Sequence, residues 1–149
     1  MSQYVTFVLA DHLYGVDVQR VQEALRAPVR TRVPLAPDDV AGLVNLRGQV
    51  VLTIDLRARL GLPPADGAPA MTVVVQVGDE PVSLLVDAIG DVVECGPGTF
   101  EPPPPTLDAH LCALVRGVHK LEDRLMLVLD VDAAVAPQSP RPALTEEPR

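Results

Sequence analysis

Apolar residues fall along the chain in short runs of Val, Leu and Ile separated by Gly, Pro or Asp, the pattern of a β domain rather than of long amphipathic helices. Roughly ten such runs read as strands. Residues 4–9 and 13–17 flank an Ala10-Asp11-His12 turn, and residues 72–77 and 83–86 lie across Gly78-Asp79-Glu80-Pro81. Residues 115–121 and 124–131 form a third pair hinged at Glu122-Asp123, so three hairpins are expected. Three segments break the alternation, residues 18–26, 56–61 and 131–136, where apolar residues recur at near-helical spacing and predict single helical turns. Gly61 and Pro63 stop the second of these.

The stretch Pro63-Pro64-Ala65-Asp66-Gly67-Ala68-Pro69 is the best internal linker. It divides residues 1–136 into approximate sub-barrels at 1–62 and 70–136, with strand exchange between them left open. Glu101-Pro102-Pro103-Pro104-Pro105 is stiff, because each ring fixes φ and removes a donor. It reads as a rigid connector over a barrel mouth rather than as a ligand for a peptide-binding module. Residues 137–149 are Pro-rich, charged and poor in large apolar groups, and a disordered tail is expected there.

Composition narrows the function. With 149 residues and a hydrophobic fraction of 48%, the chain can fill a core of its own. Twelve basic against 20 acidic residues give a net charge of −8, which argues against a phosphate-binding or anionic-membrane surface. The four aromatic residues, Tyr4, Phe7, Tyr14 and Phe100, come without a basic stripe, so nucleic-acid recognition is not expected. Residues 1–10 lack the basic segment of a signal peptide, and runs such as 71–77 fall short of the ~20 residues of a spanning helix. A cytoplasmic protein without direct membrane insertion is expected, any attachment coming through a partner.

Catalytic candidates are few. His12, His110 and His119 are scattered, with no spacing that places two on one face as a metal site needs. Cys95 and Cys112 stand apart and read as reduced core residues. Asp87, Asp91 and Glu94 surround an expected turn at Gly90 and read as solvated loop charges. Gly96-Pro97-Gly98 carries a proline where a phosphate-binding loop needs an N–H. No enzyme, metal or cofactor is expected.

The most informative stretch is Gly42-Leu43-Val44-Asn45-Leu46-Arg47-Gly48-Gln49-Val50-Val51-Leu52-Thr53-Ile54-Asp55-Leu56-Arg57. It reads as two strands about Arg47-Gly48, where glycine permits φ > 0 and the arginine projects outward. On composition alone this is a solvated turn arginine. The text, however, resembles the CheW family, whose members carry an Asn-Leu-Arg-Gly corner and a strand ending in Asp-Leu-Arg. Leu13-Tyr14-Gly15-Val16-Asp17-Val18 with Val21-Gln22-Glu23 is similar to that family's opening hairpin and helical turn. Val86-Asp87-Ala88-Ile89-Gly90-Asp91-Val92 is similar to its central turn, and Arg124-Leu125-Met126-Leu127-Val128-Leu129-Asp130 to its closing strand. Order and spacing agree over residues 3–136. One departure is Val51-Leu52-Thr53, where many relatives have a proline.

The resemblance implies an all-β fold with short helices, two five-stranded SH3-like barrels sharing a hydrophobic core. It implies a non-enzymatic adaptor that couples chemoreceptors (methyl-accepting chemotaxis proteins) to the histidine kinase CheA, at receptor arrays on the inner face of the membrane. An adaptor of another chemosensory-type pathway, such as surface motility or gene regulation, is the alternative. The implied partners are the receptor's cytoplasmic helical tip and the regulatory domain of a CheA-type kinase. Carried over by position, the receptor face comprises Val21, Glu23, Gly42, Asn45, Arg47 and Gly48, on a groove between the two barrels. No motif selects individual kinase-contact positions.

Overall fold

The computed structural model describes residues 2–28, 30–63 and 71–136. Most of the expected linker, residues 64–69, and the expected tail, residues 137–149, lie outside the described residues.

All three expected hairpins form. β1 (Ser2–Leu9) and β2 (His12–Asp17) pair antiparallel about Ala10 and Asp11, both at positive φ as a tight two-residue turn requires. β6 (Met71–Val77) pairs with β7 (Glu80–Val86), and β10 (Val115–Lys120) with β11 (Leu125–Leu129). β4 (Val40–Leu46) and β5 (Gln49–Asp55) flank the Arg47-Gly48 corner, while β8 (Ala88–Cys95) and the short β9 (Phe100–Glu101) complete the strands. Two of the expected helical turns are present, α1 (Leu56–Arg59) and α3 (Val131–Val135), and a further one, α2 (Ala109–Cys112), was not expected. Asp55, Asp108 and Asp130 each cap one of these with a side-chain acceptor.

Two expectations are corrected. Only residues 18–20 of the 18–26 segment form a helical turn, and the rest is a strand, β3 (Val21–Arg26), paired with β6. Burial alternates strictly along β3, but its half-buried positions are Val21, Glu23 and Leu25, so a charged residue on the inner face hides the alternation in the sequence. Gly90 is no turn either. It lies inside β8, whose neighbour β1 pairs along most of its length.

The strands make two sheets, ordered β8-β1-β2-β11-β10-β9 and β3-β6-β7-β5-β4. The first takes both ends of the chain and the second its middle, so the sheets do not follow a division at residues 63–69. Parallel pairings of β2 with β11 and β5 with β7 knit distant segments together. One sheet has six strands rather than five, and among the described residues neither closes into a hydrogen-bonded ring. The SH3-like two-unit plan is nonetheless present.

The main core is shared between the sheets. Phe7, Leu9, Tyr14, Val16, Leu127 and Leu129 of one meet Ile54, Val73, Val75 and Leu84 of the other, with α1 and α3 contributing Leu56 and Val131. Alternation then puts Tyr4, Leu13, Met126 and Val128 on the opposite face of the six-stranded sheet, in a smaller cluster with Cys95. The polyproline run leaves the edge strand β9 and, with Val118 and Leu125, walls an apolar cleft along that sheet edge. Proline suits this place because an edge position does not need its missing N–H.

Two arginines staple the connections. Arg57 Nε and Nη2 donate to Asp87 Oδ1 and Oδ2 at 2.9 and 2.6 Å, and Asp87 also accepts from the Ala10 amide at 3.0 Å. Arg57 thereby ties α1 to the β1–β2 turn, and Asp87 is no solvated loop charge. Arg59 is buried and donates to Asp39 Oδ2 at 2.5 Å and to the Ala134 and Ala136 carbonyls, fastening α3 to α1.

Candidate functional site

The Arg47-Gly48 corner is a two-residue hairpin loop, since Leu46 pairs directly with Gln49. Arg47 and Gly48 both have positive φ, 53° and 83°, the signature of the primed turn that matches strand twist. Asn45 reinforces it, its Oδ1 accepting from the Gly48 amide at 2.8 Å. Gly42 has a separate reason to be glycine. Its φ is 142°, and a Cβ there would stand 2.5 Å from the Thr31 carbonyl oxygen. That close approach lets Thr31 exchange two backbone hydrogen bonds of 2.8 Å with Leu43, laying the β3–β4 connection against β4.

Arg47 does not project alone. Its Nη1 and Nη2 donate to Glu23 Oε2 and Oε1, a fork-to-fork pair between the turn after β4 and strand β3. Since β3 and β4 are the two edges of the five-stranded sheet, the pair shows that this sheet curls until its edges nearly meet. The Glu23 side chain is 20% exposed and that of Arg47 71%, so the cation forms the outer half of the clasp. The Arg47 hydrogen bonds hold the Glu23 carboxyl below its ordinary range, and the same bonds raise Arg47.

Val21 is half-buried, pairs with Val75 and packs against the shared core. All six sequence-identified positions therefore lie on the five-stranded sheet. The pair joins the two edges of one sheet. What sequence reasoning missed is the apolar surface beside the clasp. Val50, opposite Asn45, is 67% exposed, and Leu52, opposite Leu43, is 38% exposed. The alternation of Val50 and Leu52 with buried Val51 and Thr53 was the available signal.

Two of the three histidines have partners within the fold. His110 Nε2 donates to the Arg59 carbonyl at 2.7 Å, and His119 is buried between Tyr4 and Thr99 partners. Burial raises the Cys95 thiol above its usual value. Among the described residues no group of three or more His, Cys, Asp or Glu side chains is placed to hold a metal ion.

Two sheets around a common core, with a charged clasp beside exposed valine and leucine, define a β scaffold that presents a surface. The CheW-like domain model matches residues 3–138, and the chain belongs to that family. It is 31% identical to the probable chemotaxis protein CheW of Rhizobium etli over 88% of this chain and 85% of that one. The chemotaxis protein CheW of Rhizobium meliloti is likewise 31% identical, with 95% and 91% covered. The crystal structure of the scaffolding protein TtCheW from Thermoanaerobacter tengcongensis superposes with a TM-score of 0.77 at 31% identity, covering 86% of this chain and 88% of that one.

Proposed function

We propose that the chain is a non-enzymatic adaptor of chemotaxis signalling, coupling a chemoreceptor's cytoplasmic helical tip to the regulatory domain of a CheA-type histidine kinase. The observation that carries this reading is the Glu23–Arg47 clasp beside exposed Val50 and Leu52, on a chain whose relatives are chemotaxis CheW proteins over nearly their whole length. A helical tip offers what such a surface takes, apolar side chains for Val50 and Leu52 and a rim of charge for the clasp.

Within this reading the six positions divide the work. Arg47 and Glu23 set the register of the bound helix, and Val21 backs the strand that carries Glu23. Gly42, Asn45 and Gly48 hold the corner in the conformation that presents Arg47. The kinase domain, of similar fold, is taken by a strand edge. β8, eight residues long and paired only with β1 among the described residues, with Val92 54% exposed, is the longest such edge of the six-stranded sheet. Signal then passes as a coupling between two binding free energies, with no bond made or broken. Work of this kind places the chain at receptor arrays on the inner face of the membrane. No helix among the described residues is long and apolar enough to cross a membrane.

Co-elution with the regulatory domain of a CheA kinase and with a receptor-tip fragment tests the reading. Both partners are expected to co-elute with the full chain, separately and together. Elution of the chain free of both would overturn it.

A further inference from the structure

Apart from the clasp, the six-stranded sheet carries a pocket of about 370 Å³, within the usual size range of small-ligand sites. Its wall is aromatic. His119 lies between Tyr4 and Phe100, with ring centroids 5.3 and 5.1 Å away and both neighbours tilted against it. The histidine's nitrogens are committed to the protein. Thr99 Oγ donates to the Gly96 carbonyl at 3.3 Å, so it accepts from His119 Nδ1–H at 2.8 Å, leaving Nε2 to accept from the Tyr4 hydroxyl at 3.3 Å. Burial lowers the His119 pKa, favouring the neutral ring. It therefore contributes an apolar face to the pocket.

At the rim stands Arg116, exposed on β10 and the one cation among the lining residues. Among the described residues its guanidinium has neither an ion pair nor a hydrogen bond. No carboxylate lines the pocket, so a cationic ligand finds no partner. A phosphate finds a single cation, and Pro97 at the mouth has no N–H to offer. A planar guanidinium fork beside a cluster of rings is matched by a flat apolar body carrying one planar anion.

We propose that this pocket binds a small aromatic carboxylate, its ring against Tyr4, Phe100 and His119 and its carboxylate held by Arg116. Such a site gives the chain a small-molecule input on the sheet that does not carry the clasp, independent of receptor binding.

Amide NMR titration of the full chain with benzoate, and with neutral benzamide as its isostere, tests the proposal. Saturable shifts confined to residues 2–4, 95–100 and 116–119 are expected, with benzoate binding about tenfold tighter than benzamide. Arg116→Gln, an exposed substitution, is expected to make the two probes equal, and Phe100→Leu to weaken both alike. Absence of saturable shifts, equal affinities in the unsubstituted chain, or a benzoate preference that survives Arg116→Gln would each overturn it.

Discussion

Glu23 and Arg47 meet in a two-pronged ion pair although they belong to opposite edges of the five-stranded sheet. The clasp is thus part of the exposed surface and bridges an otherwise open curl, and as a solvent-exposed pair it adds little to stability. Its neighbours Gly42, Asn45 and Gly48 are explained by backbone geometry at the same corner, so the proposed receptor surface and the local fold share one set of residues.

Gly42→Ala tests that geometry. The new Cβ would press on the Thr31 carbonyl at a φ that side chains rarely adopt, so a destabilisation on the order of 1–3 kcal/mol is expected. Chemical denaturation measures it. Wild-type stability would show that the Thr31 approach is not tight.

Arg59→Met should be more costly. It leaves the Asp39 carboxylate and the Ala134 and Ala136 carbonyls without their shared donor in a buried setting, and a loss on the order of 3–5 kcal/mol is expected. Arg59→Lys, which keeps the charge and loses the fork, should recover only part. Full recovery by lysine would contradict the role given to the fork.

Tyr14→Phe is expected to stabilise. The Tyr14 ring is fully buried and stacked on Phe7, 5.7 Å between centroids, but its hydroxyl has no hydrogen-bond partner among the described residues. Burial accordingly raises its pKa. Removing the hydroxyl removes an uncompensated desolvation, for a gain of about 1 kcal/mol in a denaturant series. A clear loss of stability would mean that the hydroxyl has a partner in solution.

The Asp87 ion pair should be visible in acid. Its carboxyl is held below the ordinary value chiefly by the Arg57 hydrogen bonds, with the Ala10 amide adding to the effect against the cost of burial. The folded chain therefore binds this proton less tightly than the unfolded one. The stabilisation is complete above the unfolded pKa, about 3.9, and is lost as pH falls through the folded value. Asp87→Asn should lower the melting midpoint near neutrality, and the gap to wild type should narrow as the pH drops below about 4. A gap constant with pH would contradict the assignment.

Much of this was legible in the chain. The three hairpins announce themselves because alternating apolar runs and short polar turns act locally, and Arg47-Gly48 marked the corner for the same reason. β3 was misread as helical because Val21 and Leu25 stand four apart while the half-buried position between them is the charged Glu23, which masks the two-residue period. The grouping of strands was not legible, since the pairings of β2 with β11 and β5 with β7 leave no local trace. Nor did any pattern show that Arg59 is buried or that Glu23 reaches Arg47, both being contacts between distant segments. Only the family resemblance put Glu23 and Arg47 on one face.

The most direct test of the central claim is a titration of a receptor-tip fragment against the unsubstituted chain, Arg47→Ala and the exchanged pair Glu23→Arg/Arg47→Glu, with melting midpoints recorded for each. The account predicts unchanged folding of Arg47→Ala with affinity reduced about tenfold or more, as for an interface hot spot. It predicts further that the exchanged pair restores the clasp but not the affinity, because the receptor reads an outward cation at position 47. Equal affinity of Arg47→Ala and the unsubstituted chain, or a loss of affinity that only follows a loss of fold, would contradict it.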